Sequence, residues 1–79
     1  MKIGDQVRLR QAVASAQIRL DPGAVGRVVR FTPRPAGRPW FARHVPDAHW
    51  DLEFPVAPHM HILVTIADSR VADALELLP

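Results

Sequence analysis

Four histidines and a pair of acids are the residues in this 79-residue chain whose types and spacing suit chemistry. His59-x-His61 places two imidazoles on one face of any strand, because alternate strand residues share a face. His44 and His49 stand shortly before them. Neutral imidazole suits zinc, copper or nickel. A metal reading therefore takes His59, His61 and His49 as ligands, with Asp51 as the carboxylate supplement. The competing reading is that the histidines are incidental on an exposed strand face. Asp51 and Glu53 also share a face and could serve as acid and base. On an outward face they are more simply solvated charges beside arginines. Ser15 and Ser69 are the only serines, and neither sits in a nucleophile elbow. There is no cysteine, which rules out disulfides and thiolate metal sites. The expectation is a chain with no catalytic residues and no cofactor, at most an accessory subunit of an enzyme.

The arginines offer a different chemistry. Residues 1–43 hold Lys2 and eight arginines against Asp5 and Asp21, a balance of +7, and the remainder carries −5. Such asymmetry marks a basic surface for an acidic partner, or it cancels on folding if the two halves pair as neighbouring strands. Cancellation is the expectation. Arginine grips phosphate and stacks on bases, and an exposed aromatic adds about 1–3 kcal/mol per stacked base. A nucleic-acid reading therefore rests on Arg8, Arg10, Arg27 and Arg30, with Phe31, Trp40 and Phe41 interleaved. The leading reading is protein binding by Arg34, Arg38, Trp40, Phe41 and Arg43, which share the stretch "TPRPAGRPWFARHVP" with four prolines. Large aromatics and arginine are the usual anchors of protein interfaces. The competing view makes these aromatics core, since a small domain needs its large side chains inside. The partner expected is another protein, such as a larger enzyme or a regulatory complex. A chain this small also gains stability from a second copy of itself.

Short strands must position these residues. Val7 and Leu9 alternate with polar neighbours, and Gly4-Asp5 signals a turn before them. "QAVASAQIRL" could form a helical turn, but Asp21-Pro22-Gly23 stops any helix there, and it reads as a long first loop with apolar anchoring by Val13, Ile18 and Leu20. Gly26 opens a second strand, Arg27–Thr32, with Val28 on one face and Val29 and Phe31 on the other, unless the strand changes face at a bend. The proline-rich middle loop follows. Trp50, Leu52 and Phe54 alternate with Asp51 and Glu53 as a third strand, and Pro55 and Pro58 bracket a short connection. "HMHILVTI" is a fourth, with Met60, Ile62, Val64 and Ile66 on one face and His59, His61, Leu63 and Thr65 on the other. Ser69 could cap a short helix running to Leu78, with Val71, Leu75 and Leu78 on one stripe; the preferred reading is one helical turn, Ser69–Ala74, before a last strand, Leu75–Leu78, since a five-stranded barrel otherwise lacks its closing element.

The succession "GDQVRLR", "PGAVGRVVRF", "WDLEF", "ILVTI", "ALELL" resembles the SH3-like barrel of small bacterial domains. It is similar in outline to the variable chain of ferredoxin–thioredoxin reductase, to the small barrel subunit of photosystem I and to KOW modules. The motif-grade positions are Gly4-Asp5, Val7, Gly23, Gly26, Val28 and Val29. What this implies is an all-β, single-domain, five-stranded barrel over residues 1–79. It would have a long first loop, a Pro/Arg-rich middle loop and a short helical turn before the last strand. Gly23 is then a turn glycine, and Gly26 sits where the strand enters a narrow barrel and neighbouring backbone leaves little space for a side chain. No run of about 18 apolar residues occurs, so no membrane partner is expected, and the absence of a signal-peptide pattern makes cytoplasmic residence the expectation.

Overall fold

The computed structural model describes residues 1–14, 18–34 and 47–79. Seven strands dominate the described residues: β1 (Gln6–Leu9), β2 (Val13–Ala14), β3 (Arg19–Leu20), β4 (Val25–Thr32), β5 (His49–Ala57), β6 (Met60–Ala67) and β7 (Leu75–Leu77). Between β6 and β7 a 3-10 turn, Asp68–Arg70, runs into a four-residue helix, α1 (Val71–Ala74). Five strands form one antiparallel sheet in the order β6-β5-β4-β1-β7, and β2 and β3 form a separate two-stranded sheet. The all-β expectation therefore holds, but the sheet is not closed. Its edge strands β6 and β7 do not pair with each other among the described residues. Strand β7 is three residues long and pairs only with β1.

Strand β4 links the two halves of the sheet. Val25, Gly26 and Arg27 pair with β1, while Arg27 to Thr32 pair with β5. The register shifts between Val28 and Arg30, as at a β-bulge. Val28 then lies opposite Leu52 and Phe31 opposite Trp50, so Val28 and Phe31 share the inner face. Plain alternation separates them; the extra residue, Val29, brings them back together.

Two glycines have definite structural reasons. Asp21–Ala24 close a turn through an Ala24 N–H bond to the Asp21 carbonyl at 3.3 Å, with Pro22 second and Gly23 third at φ +97°. Those are the proline and glycine positions of a type II turn. Gly26 meets the other half of the expectation. A Cβ there would lie 2.7 Å from the Glu53 carbonyl oxygen and 2.7 Å from the Phe54 ring.

The extents of two stretches also differ from the sequence reading. The stretch expected as an irregular first loop contains the β2–β3 hairpin, with Val13 opposite Leu20 and Ala14 opposite Arg19. Leu20 is buried and Val13 packs against the core, so two apolar anchors order a segment whose alanines showed no clear period. Pro55 does not end its strand: β5 runs to Ala57, and the turn before β6 is Pro58-His59. The pairing with β4 ends at Glu53, so among the described residues Pro55 pairs with His61 alone. A proline is tolerated at such an edge position.

The core is Val7, Leu9, Leu20, Val28, Leu52, Phe54, Ile66 and Leu75, all buried. It draws on six strands, and Phe54 is its largest fully buried member. On β6, Ile62, Val64 and Ile66 face β5's Phe54, Leu52 and Trp50 in register, while His61, Leu63 and Thr65 lie on the outer face. His59 falls in the turn rather than on the strand.

Candidate functional site

Strand pairing places the charged halves of the chain side by side. Arg8 lies opposite Glu76, with a 3.5 Å contact between their charged groups. Arg27 lies opposite Glu53 at 4.0 Å, and Arg30 opposite Asp51 at 2.7 Å. Arg10 donates from Nε to the Leu75 carbonyl at 2.9 Å. All four arginines of the nucleic-acid reading are thus engaged inside the molecule, three of them by carboxylates from the acidic half. The exposed pairs are each worth under about 1 kcal/mol. Their importance is that they neutralise the basic strip along β1 and β4.

Asp51 departs from the expectation of a solvated surface acid, for it is 5% exposed. The outer face of the sheet sets Arg30, Asp51 and Thr65 in one row across β4, β5 and β6. Thr65 donates from Oγ1 to Oδ1 at 2.7 Å, and Arg30 donates from Nε to Oδ2 at 2.7 Å. The Thr65 hydroxyl first, and then the Arg30 guanidinium, hold the Asp51 carboxyl below its ordinary range against the opposing effect of burial. A carboxyl lowered in the folded state stabilises the protein above its unfolded value, near 3.8, and that contribution disappears as pH falls through the folded value. Arg30→Ala is therefore expected to weaken the loss of stability as pH falls through and below the ordinary carboxylate value of 3.8, read as melting temperature against pH. Parallel pH curves for variant and wild type would contradict the role given to Arg30.

The histidines do not converge. His49 opens β5 opposite Thr32 and Ala67, whereas His61 lies opposite Pro55. Those positions are six residues apart on β5, about 20 Å at strand spacing. His61 faces Glu53 with its Nε2 3.6 Å from Oε1, and the Asp51 oxygens are already taken by Arg30 and Thr65. Among the described residues no three histidines, aspartates or glutamates gather as a metal site would need.

Of the residues assigned to protein binding, Arg38, Trp40, Phe41 and Arg43 lie outside the described residues, as does His44. Arg34 is exposed just beyond β4. Phe31 near the end of β4 and Trp50 at the start of β5 stand opposite each other, ring centroids 4.3 Å apart and tilted by 43°. Phe31 is 37% exposed. The Trp50 indole N–H donates to Asp68 Oδ1 at 2.8 Å, which fixes the ring against the 3-10 turn. Beside them Asp47 is held below its ordinary range, chiefly by a hydrogen bond from the Ser69 hydroxyl and in smaller part by the Arg34 charge. The sequence marked Trp50 as a strand residue and Phe31 as interleaved with arginines. Their stacking follows from the bulge at Val29, which a single sequence does not announce.

No protein-family model, characterised protein or solved structure matches the chain. No helix among the described residues is long and apolar enough to cross a membrane.

Proposed function

We propose that the chain is a non-catalytic protein-binding module on an SH3-like barrel, and that it binds with the loop between β4 and β5. The observation that carries this reading is the Phe31–Trp50 pair at the root of that loop, half-exposed and fixed by the Asp68 bond. A rigid aromatic pair gives contact area at little entropic cost, and arginine and tryptophan in the adjoining loop are the usual hot-spot types. The barrel reading draws support from the strand order, from the bulged β4 shared between two neighbours, and from the single helical turn before the last short strand. Arg34, Arg38 and Arg43 suit an acidic partner segment with apolar anchors. The internal pairing of Arg8, Arg27 and Arg30 weighs against the nucleic-acid alternative.

The test is capture of a partner from extract of the source cells at low salt. Trp40→Ala and Phe31→Ala are expected to lose the partner recovered by the wild type while melting within a few degrees of it. Equal recovery by all three proteins would contradict the proposal. So would a fall of more than about 10 °C in the melting temperature of Trp40→Ala, which at about 4–8 °C per kcal/mol marks a core residue.

A further inference from the structure

The two edges of the five-stranded sheet are built differently. Strand β7 is three residues long, carries Glu76, and is followed at once by Leu78 and Pro79. Short length, charge and proline are the devices that keep an edge from pairing. Strand β6 has none of them. It is eight residues, "MHILVTIA", with no Asp, Glu, Lys, Arg or Pro. Among the described residues nothing pairs with its outer side. Every second residue of β6 must turn its N–H and C=O to that free side.

Apolar side chains are exposed along this edge as well. Met60 is 56% and Leu63 66% exposed. Met60, Ile62, Leu63 and Val64 line one wall of a cleft of about 440 Å³, with Val13 and Leu20 of the β2–β3 hairpin among those on the other.

We propose that a second copy of this chain pairs with β6, strand to strand and antiparallel, about a two-fold axis through Leu63. A two-fold axis perpendicular to the sheet keeps inner residues with inner and outer with outer, so only residues of like parity may oppose each other. Centred on Leu63, the register sets Met60 against the second copy's Ile66, Ile62 against its Val64, and Leu63 against its own counterpart. On the outer face His61 meets Thr65. No like charges are opposed anywhere in this register, because β6 contains no carboxylate, lysine or arginine. The pairing also sets the apolar wall of each cleft beside its counterpart, joining two five-stranded sheets into one of ten. A second copy fits better than a foreign strand because the edge is complementary to itself, as an isologous contact requires. This surface is separate from the β4–β5 loop, so the inference does not depend on the protein-binding reading.

Sedimentation across a concentration series reads the stoichiometry. The wild type is expected to approach twice 8.8 kDa, and Leu63→Lys, which puts like charges face to face on the axis, to remain at 8.8 kDa with an unchanged circular dichroism spectrum. The chain has no cysteine, so a single one reports on one place. Leu63→Cys is expected to form a disulfide-linked dimer under mild oxidation, since opposed residues of an antiparallel pair have Cα atoms about 4.5–5.5 Å apart. Leu77→Cys on the protected edge is expected to stay monomeric. A wild type that remains at 8.8 kDa at every concentration would overturn the proposal and leave the edge to a strand of another protein. Cross-linking of Leu77→Cys as fast as Leu63→Cys would equally overturn it, as random collision.

Discussion

Phe54→Ala is expected to remove most of the protein's stability. Phe54 is 1% exposed and sits between β4 and β6, the largest side chain in the core. Truncating a buried phenylalanine costs about 3–5 kcal/mol through lost transfer energy and the cavity left behind. A domain of this length has about 4–12 kcal/mol in total, at about 0.05–0.15 kcal/mol per residue. The expected fall in melting temperature is about 12–40 °C, taking 4–8 °C per kcal/mol. Calorimetry checks it, with Leu77→Ala as the control at an exposed position. A drop under about 5 °C for Phe54→Ala would contradict the packing described.

Gly26→Ala is the second large effect, and it acts on the same spot from the other side. The added methyl would lie 2.7 Å from the Glu53 carbonyl oxygen and from two atoms of the Phe54 ring. One obstacle is backbone held in the β4–β5 ladder and the other is a ring enclosed by the core, so neither can yield cheaply. Overpacking of this kind costs about 1–3 kcal/mol, and chemical denaturation should show it as a lower midpoint with an unchanged slope. Because the two positions collide, their effects should not add. In a Phe54→Leu background Cε1 is gone and the remaining δ carbons are no longer held in a rigid ring, so Gly26→Ala should cost less than it does in the wild type. Full additivity would mean that the carbonyl contact alone is limiting.

The parts of the fold that could be read from the sequence were those fixed by local rules. Alternation at Val7 and Leu9, at Trp50 to Phe54 and at Met60 to Ile66 located the strands and their faces, because the apolar side chains of each strand's alternating positions fall on the core side. Gly23 and Gly26 were interpretable because positive φ and close approach leave glycine as the residue that fits. The hairpin at Val13–Ala14 and Arg19–Leu20 was not, since two-residue strands have no period to detect and are held by tertiary contacts. The bulge at Val29 and the passage of β5 through Pro55 depend on which neighbour each strand has, and where that neighbour stops.

The candidate site divides in the same way. That opposite charges would cancel across strands was foreseeable from the +7 and −5 halves, and the register places Arg8, Arg27 and Arg30 directly opposite Glu76, Glu53 and Asp51. Burial of Asp51 was not foreseeable, because it needs a threonine 14 residues on and an arginine 21 residues back to arrive from two other strands. The same holds for the bond from Trp50 to Asp68, which joins the root of the middle loop to the 3-10 turn.

The claim that the middle loop is a contact surface stands or falls on Trp40, one of two tryptophans in the chain. In Trp50→Phe it is the sole indole, and its fluorescence reports its surroundings alone. The account predicts emission typical of an indole in water, with ready quenching by iodide. Blue-shifted emission that iodide does not touch in the unbound protein would place Trp40 in the interior and contradict the claim.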